Sequence, residues 1–173
     1  MTMMEQILTW KPILQTRRNH ALEHATLKIL AMRNPNRFMA GYSNFSGIFV
    51  LGKISTEELQ EALSEAEKRL RKGEHSLAIH PGCGTNLSVA GMLAGFLAWL
   101  GSLRTPKNFG AKLGRLPNMM ALATIGVLIS QPLGPWLQEH VTTEADLGTL
   151  RVIEIARLTR QEPVTHHIKT EAA

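Results

Sequence analysis

The chain has 173 residues, 44% hydrophobic and 19% charged, with 19 Lys plus Arg against 14 Asp plus Glu, a net charge of +5. That apolar share excludes a wholly disordered chain, and a lone cysteine, Cys83, excludes an internal disulfide framework. The basic balance suits nucleic acid or an anionic membrane surface, but aromatics are few at 5% and no recognised nucleic-acid motif is present, so nucleic acid is set aside.

Met1–Leu14 lacks the basic head and long apolar core of a secretory signal. Thr16–Arg33 reads as a helix, with Ala21, Leu22, Ala25, Leu27, Ile29 and Leu30 as its apolar supply and Asn34-Pro35-Asn36 as its stop. Phe38–Ser43 and Gly47–Ile54 read as two short strands around Asn44-Phe45-Ser46. Ser55 then heads an amphipathic helix, Thr56–Lys72, with Glu58 placed for a capping box. Leu59, Leu63, Ala66 and Leu70 share one face of it, and Gly73 ends it. Leu77–His80 reads as a short strand leading into Pro81.

Leu87–Leu103 holds 17 residues without a charge and Leu116–Leu137 holds 22. A helix across the hydrocarbon layer needs ~20 mostly apolar residues, with ~17 as the lower limit. Two such runs in tandem predict a transmembrane hairpin, with Trp99 and Trp136 near segment ends, where interfacial aromatics gather. Gly91 and Gly95, beside Ala90, Ala94 and Ala98, offer a small-residue face for a partner helix, from another membrane protein or a second copy. The connection Arg104–Arg115 carries four basic residues, Arg104, Lys107, Lys112 and Arg115, whereas the flanks carry six: Lys68, Arg69, Arg71, Lys72, Arg151 and Arg157. With no signal to carry the N-terminal segment across, this balance predicts cytoplasmic termini. The Lys68–Lys72 run reads as a solvated or headgroup-facing helix end. Leu150–Leu158 and Val164–Thr170 read as paired strands joined through Gln161-Glu162-Pro163. Residues 1–86 and 138–173 are thus expected to build one small α+β domain, into which residues 87–137 insert as the membrane hairpin.

Two motifs carry potential chemistry. His20-Ala21-Leu22-Glu23-His24 is H-x-x-E-H, the inverted zincin pattern. On a helix, His20 and His24 share a face and can grip one metal ion, while Glu23 stands beside them as a candidate catalytic base for a metal-bound water. The bland alternative is a polar helix face whose members pair with one another. The second motif is His80-Pro81-Gly82-Cys83-Gly84-Thr85-Asn86. His80 and Cys83 have the spacing of a turn-borne ligand pair, and Asn86 is placed to cap the first membrane helix, whose positive end would favour a thiolate at Cys83. Here the alternative is a strand-to-helix turn in which Gly and Pro serve only conformation. Together His20, His24, His80 and Cys83 would complete a tetrahedral shell, and imidazole plus thiolate favours zinc or a similar transition metal. Four ligands would make the site structural; three with a water and Glu23 would make it hydrolytic. Elsewhere, His166 and His167 are adjacent on a strand and point to opposite faces, so they chelate poorly. Glu139 and His140 follow the second span and could approach the site, and His75 sits in a polar turn, solvated.

NHALEHATLKIL followed by HPGCGTNL, ahead of two hydrophobic segments, resembles a family of uncharacterised bacterial membrane proteins, a domain of unknown function found in cyanobacteria and Chloroflexi-type bacteria. A looser likeness extends to other bacterial membrane proteins bearing A-E-H and H-P-x-C-G-T motifs. The resemblance spans the chain from Asn19 to the last strand. It implies a bacterial inner (plasma) membrane location and paired motifs, without an activity. Likeness to the inverted-zincin peptidases is confined to the pentapeptide at His20; those enzymes take a downstream Glu as third ligand, and here Glu57, Glu58, Glu61, Glu65 and Glu67 all lie on one charged helix. The expectation is a two-span membrane protein of unknown process whose His/Cys metal site is structural rather than catalytic. The alternatives are a zinc-dependent hydrolase and a metal-free assembly subunit of a membrane complex.

Overall fold

A computed structural model describes residues 2–103 and 108–172. They form two units, one of Met1–His80 with Gln138–Ala173, the other of Pro81–Leu137.

The first unit is α+β. A short helix α1 (Met3–Thr9) precedes the long α2 (Lys11–Arg33). Helix α2 begins earlier than Thr16 because Pro12 is tolerated in a first turn, where its missing N–H would have no partner anyway. Thr16 then lies inside the helix, its hydroxyl donating to Pro12 O at 2.8 Å. Strands β1 (Met39–Asn44) and β2 (Gly47–Gly52) form a hairpin. Its turn is closed by Asn44, whose Oδ1 accepts from the Ser46 N–H and hydroxyl at 2.8 and 2.7 Å. Gly47 has φ +150, and a side chain there would meet the Ile168 carbonyl, so the turn needs glycine.

Helix α3 (Thr56–Arg71) carries both halves of the capping box between Ser55 and Glu58. Leu59, Ala62, Leu63, Ala66 and Leu70 are its buried face. The segment read as a strand, Leu77–His80, is instead a single 3-10 turn, His75–Ala78. Four residues are too few for periodicity to separate the two, and burial of Leu77 and Ala78 serves either.

Strands β3 (Arg151–Arg157) and β4 (Val164–Glu171) make a second hairpin. Strand β4 also pairs antiparallel with β2, giving a four-stranded sheet of order β1-β2-β4-β3. Val164, His166, Ile168 and Thr170 of β4 alternate inward, opposite Gly52, Val50 and Ile48 of β2. This inner face meets α2, and the core is built from Leu22, Ile29, Leu30, Ile48, Val50, Leu59, Leu70 and Ile168 with Leu147 and Leu150. Each fully buried aliphatic side chain of this kind contributes about 1.5–3 kcal/mol.

The second unit is a helical hairpin. Helix α4 (Gly84–Ser102) packs antiparallel on α5 (Phe109–Leu137), and three glycines of the pair set the spacing. Gly101 faces Leu122 and Met119, Gly126 faces the backbone of Leu93 and Ala94, and Gly134 faces Asn86. Gly91 and Gly95 look into open space. Helix α5 starts well before Leu116, so Lys112 and Arg115 of the expected basic loop are helical, while Arg104 and Lys107 lie outside the described residues. Pro117, Pro132 and Pro135 all sit within α5. Asn86 does not cap α4; Cys83 does, its sulfur accepting from Thr85 N–H at 3.4 Å, while the Asn86 amide donates to Pro81 O. Gly84–Ser102 and Phe109–Thr142, the latter continuing α5 through a π turn at Gln138–Thr142, are both long and apolar enough to cross a membrane.

Candidate metal centre

Helix α2 turns two stripes inward. One faces the sheet. Asn19 donates from Nδ2 to Asn44 O at 2.7 Å and accepts from the Thr170 hydroxyl at 2.7 Å. Glu23, one turn on, is 4% exposed, and its carboxylate lies against Gly41 of β1, in the space a side chain at that position would fill. The pentapeptide's carboxylate is therefore a core group held against the sheet.

The other stripe carries the histidines. His20 Nδ1 lies 2.9 Å from Thr142 O, and His24 Nδ1 lies 2.6 Å from Ala78 O. A carbonyl oxygen only accepts, so each Nδ1 donates; in the neutral ring that arrangement places the lone pair on Nε2. This is the tautomer a metal-ligating imidazole needs, fixed by the backbone acceptors that usually orient such ligands. The His20 and His24 ring centroids are 4.2 Å apart, and His80 stands 5.5 Å from His24. His24 is buried, while His20 and His80 are half-buried. Three of the four expected ligand residues thus cluster within one unit, at the meeting of α2, the 3-10 turn and the π turn. Cys83, the fourth, begins the other unit, three residues along the chain from His80, and its thiol is buried.

Groups that the sequence reading missed hold this corner together. The His80 N–H donates to Gln138 Oε1 at 2.9 Å, and Gln138 is fully buried. Arg17, also buried, donates from Nε to Val141 O at 2.8 Å and from Nη2 to Thr143 O at 2.9 Å. It also pairs with Glu144 at 3.3 Å. The only sequence sign of these roles is position: Gln138 is the first strongly polar side chain after the apolar run, and Arg17 precedes His20 by one turn. Glu139 and His140 are exposed. Glu139 lines a cleft of about 370 Å³ with His75, Ser76 and Thr143. His166 and His167 do diverge: His166 is buried beneath the sheet with Nε2 3.1 Å from the Thr56 hydroxyl, and His167 stacks on Phe49 at 4.3 Å. Burial holds the His166 imidazole below its ordinary range; Arg157 pushes the same way and Glu57 opposes.

No solved structure matches this chain. An uncharacterised protein of Picosynechococcus sp. is 37% identical over 151 residues, covering 80% of this chain and 70% of that protein. The resemblance to an uncharacterised bacterial family holds. Residues 15–155 match the family described as Domain of unknown function (DUF6391), and the chain belongs to that family.

Proposed function

We propose that this is a two-span bacterial inner-membrane protein whose α+β domain binds a zinc-class transition metal through His20, His24 and His80, with Cys83 as the fourth ligand. The observation that carries the reading is the pair of imidazoles on one face of α2 with ring centroids 4.2 Å apart, His20 anchored on Thr142 O and His24 on Ala78 O through Nδ1, which makes Nε2 the ligand position of each. Cys83 joins on sequence grounds: three residues of chain reach at most ~11 Å, so it stays within range of a metal held near His80. Soft sulfur with imidazole nitrogen suits zinc over magnesium or calcium.

The role favoured is structural. A metal held this way would staple α2 to the start of the membrane hairpin, and its binding energy would become folding energy. Glu23 is directed at Gly41 of β1, which favours this reading over hydrolysis with Glu23 as base. Membrane residence is supported by the apolar helices themselves, of which only 11% and 17% of the most apolar stretch is buried. A core helix of a soluble protein would bury most of its apolar surface, whereas Leu87, Met92, Phe96, Ile125 and Leu128 are exposed. Cytoplasmic termini complete the reading.

The test is elemental analysis of detergent-purified protein. About one zinc per chain is expected in the wild type. It should be lost in His24→Ala and in Cys83→Ala and retained in Glu23→Gln. Absence of metal from the wild type after zinc loading would overturn the reading.

A further inference from the structure

Helix α1 has no buried residue. Met3, Ile7 and Trp10 follow one another at helical spacing, with Met4 beside them, and are 77%, 50%, 63% and, for Met4, 62% exposed. Glu5, Gln6 and Thr9 occupy the opposite arc, so the segment is amphipathic with its apolar side outward. A helix of seven residues is marginal alone in water. Here its polar end is fixed by the Thr2–Glu5 capping box, and its apolar side is bare of protein among the described residues.

The place of that side is set by Arg17. Its Nη1 donates to Leu8 O at 3.4 Å, in the last turn of α1. The same guanidinium donates to Val141 O at 2.8 Å, His140 O at 3.5 Å and Thr143 O at 2.9 Å. Residues 140–142 end the second apolar span, Phe109–Thr142. One buried cation therefore ties the end of α1 to the end of that span. If the span crosses a bilayer, α1 is held at the depth where the chain leaves it.

We propose that α1 lies in the membrane interface, with Met3, Met4, Ile7 and Trp10 sunk to the boundary between lipid headgroups and acyl chains. The inference rests on the membrane reading above. Tryptophan favours that depth, and an exposed apolar stripe of this size is an interfacial anchor when a span already confines it to the surface. Lys11, next to Trp10 and exposed, can extend its ammonium to the lipid phosphates while its stem stays apolar. The area is too small to bind a membrane unaided, so α1 would set the pose of the domain on the bilayer and would not recruit it.

The three tryptophans, Trp10, Trp99 and Trp136, make this measurable in the full-length protein. Trp99→Phe with Trp136→Phe leaves Trp10 as sole reporter; Trp10→Phe with Trp99→Phe leaves Trp136. Each is reconstituted into phosphatidylcholine vesicles whose acyl chains are brominated near the headgroup or near the bilayer centre. Trp10 emission should be roughly halved by the shallow label, changed little by the deep one, and shielded from aqueous acrylamide. Quenching of Trp136 by lipid while Trp10 responds only to acrylamide would overturn the inference and leave the membrane reading intact. Shielding of Trp10 from both quenchers would also overturn it, since protein, such as a second copy, would then cover α1. If lipid quenches neither reporter, the membrane reading falls and the inference with it.

Discussion

His24 shows how much one hydrogen bond decides. With Nδ1 on Ala78 O at 2.6 Å, the ring cannot turn without breaking a buried bond, so its free nitrogen has one direction. Glu23, its neighbour in the chain, is buried with its carboxylate against Gly41 of β1. Gly41→Ala would place a methyl group where the Glu23 carboxylate lies, and overpacking of that kind costs about 1–3 kcal/mol. Thermal unfolding in detergent should show the loss, with zinc content unchanged. His166 supplies a pH signature. Burial lowers its folded pKa, so an unfolded chain takes up a proton that the folded chain refuses. Stability present above the unfolded value near 6.5 should therefore fall as pH drops through the lower folded pKa, and His166→Gln should flatten that part of the curve. The i, i+4 spacing of His20 and His24 is readable in the sequence because it is local. Their acceptors, Thr142 O and Ala78 O, are backbone atoms from distant segments and leave no mark in residue type. The aim of Glu23 depends on where β1 docks, which spacing alone cannot give.

At the scale of elements, the capping box and the leucine stripe of α3 were legible because each is a contact between near neighbours on one helix. Both hairpins were legible from their turns. The 3-10 turn at His75–Ala78 was not: a three-residue apolar run, Leu77–Ile79, is equally compatible with a strand. The helix–helix seam was also hidden. Gly91 and Gly95 form the recognisable motif, yet the close approach is made by Gly101, Gly126 and Gly134, spread over two helices. A side chain at Gly126 would begin 2.7 Å from the Leu93 and Ala94 backbone, which cannot move aside as a side chain can. Gly126→Leu should force α4 and α5 apart and destabilise the hairpin by about 1–3 kcal/mol, more than Gly91→Leu. Thermal unfolding of both variants reconstituted in vesicles checks the ordering.

For the whole molecule, Arg17 is the residue with the widest reach. It joins the end of α1, the residues that end the second span, and Glu144. Arg17→Gln would leave several carbonyls without their donor and Glu144 without its cation, a loss of about 2–3 kcal/mol that Arg17→Lys would only partly restore. Differential scanning calorimetry of the purified variants measures it. The order of the sheet bears on how such a chain is made. Strand β4 lies between β2 and β3, so Gly52 must wait for Val164 before its open edge is covered. Both apolar helices leave the ribosome in that interval. A chain threading its hairpin into a bilayer would therefore do so while β1 and β2 still expose an unpaired edge, a known invitation to aggregation. Insertion would come first and closure of the domain afterwards, at the membrane surface, so ribosome-stalled chains that end before β4 should be protease-sensitive in the domain and already protected in the hairpin.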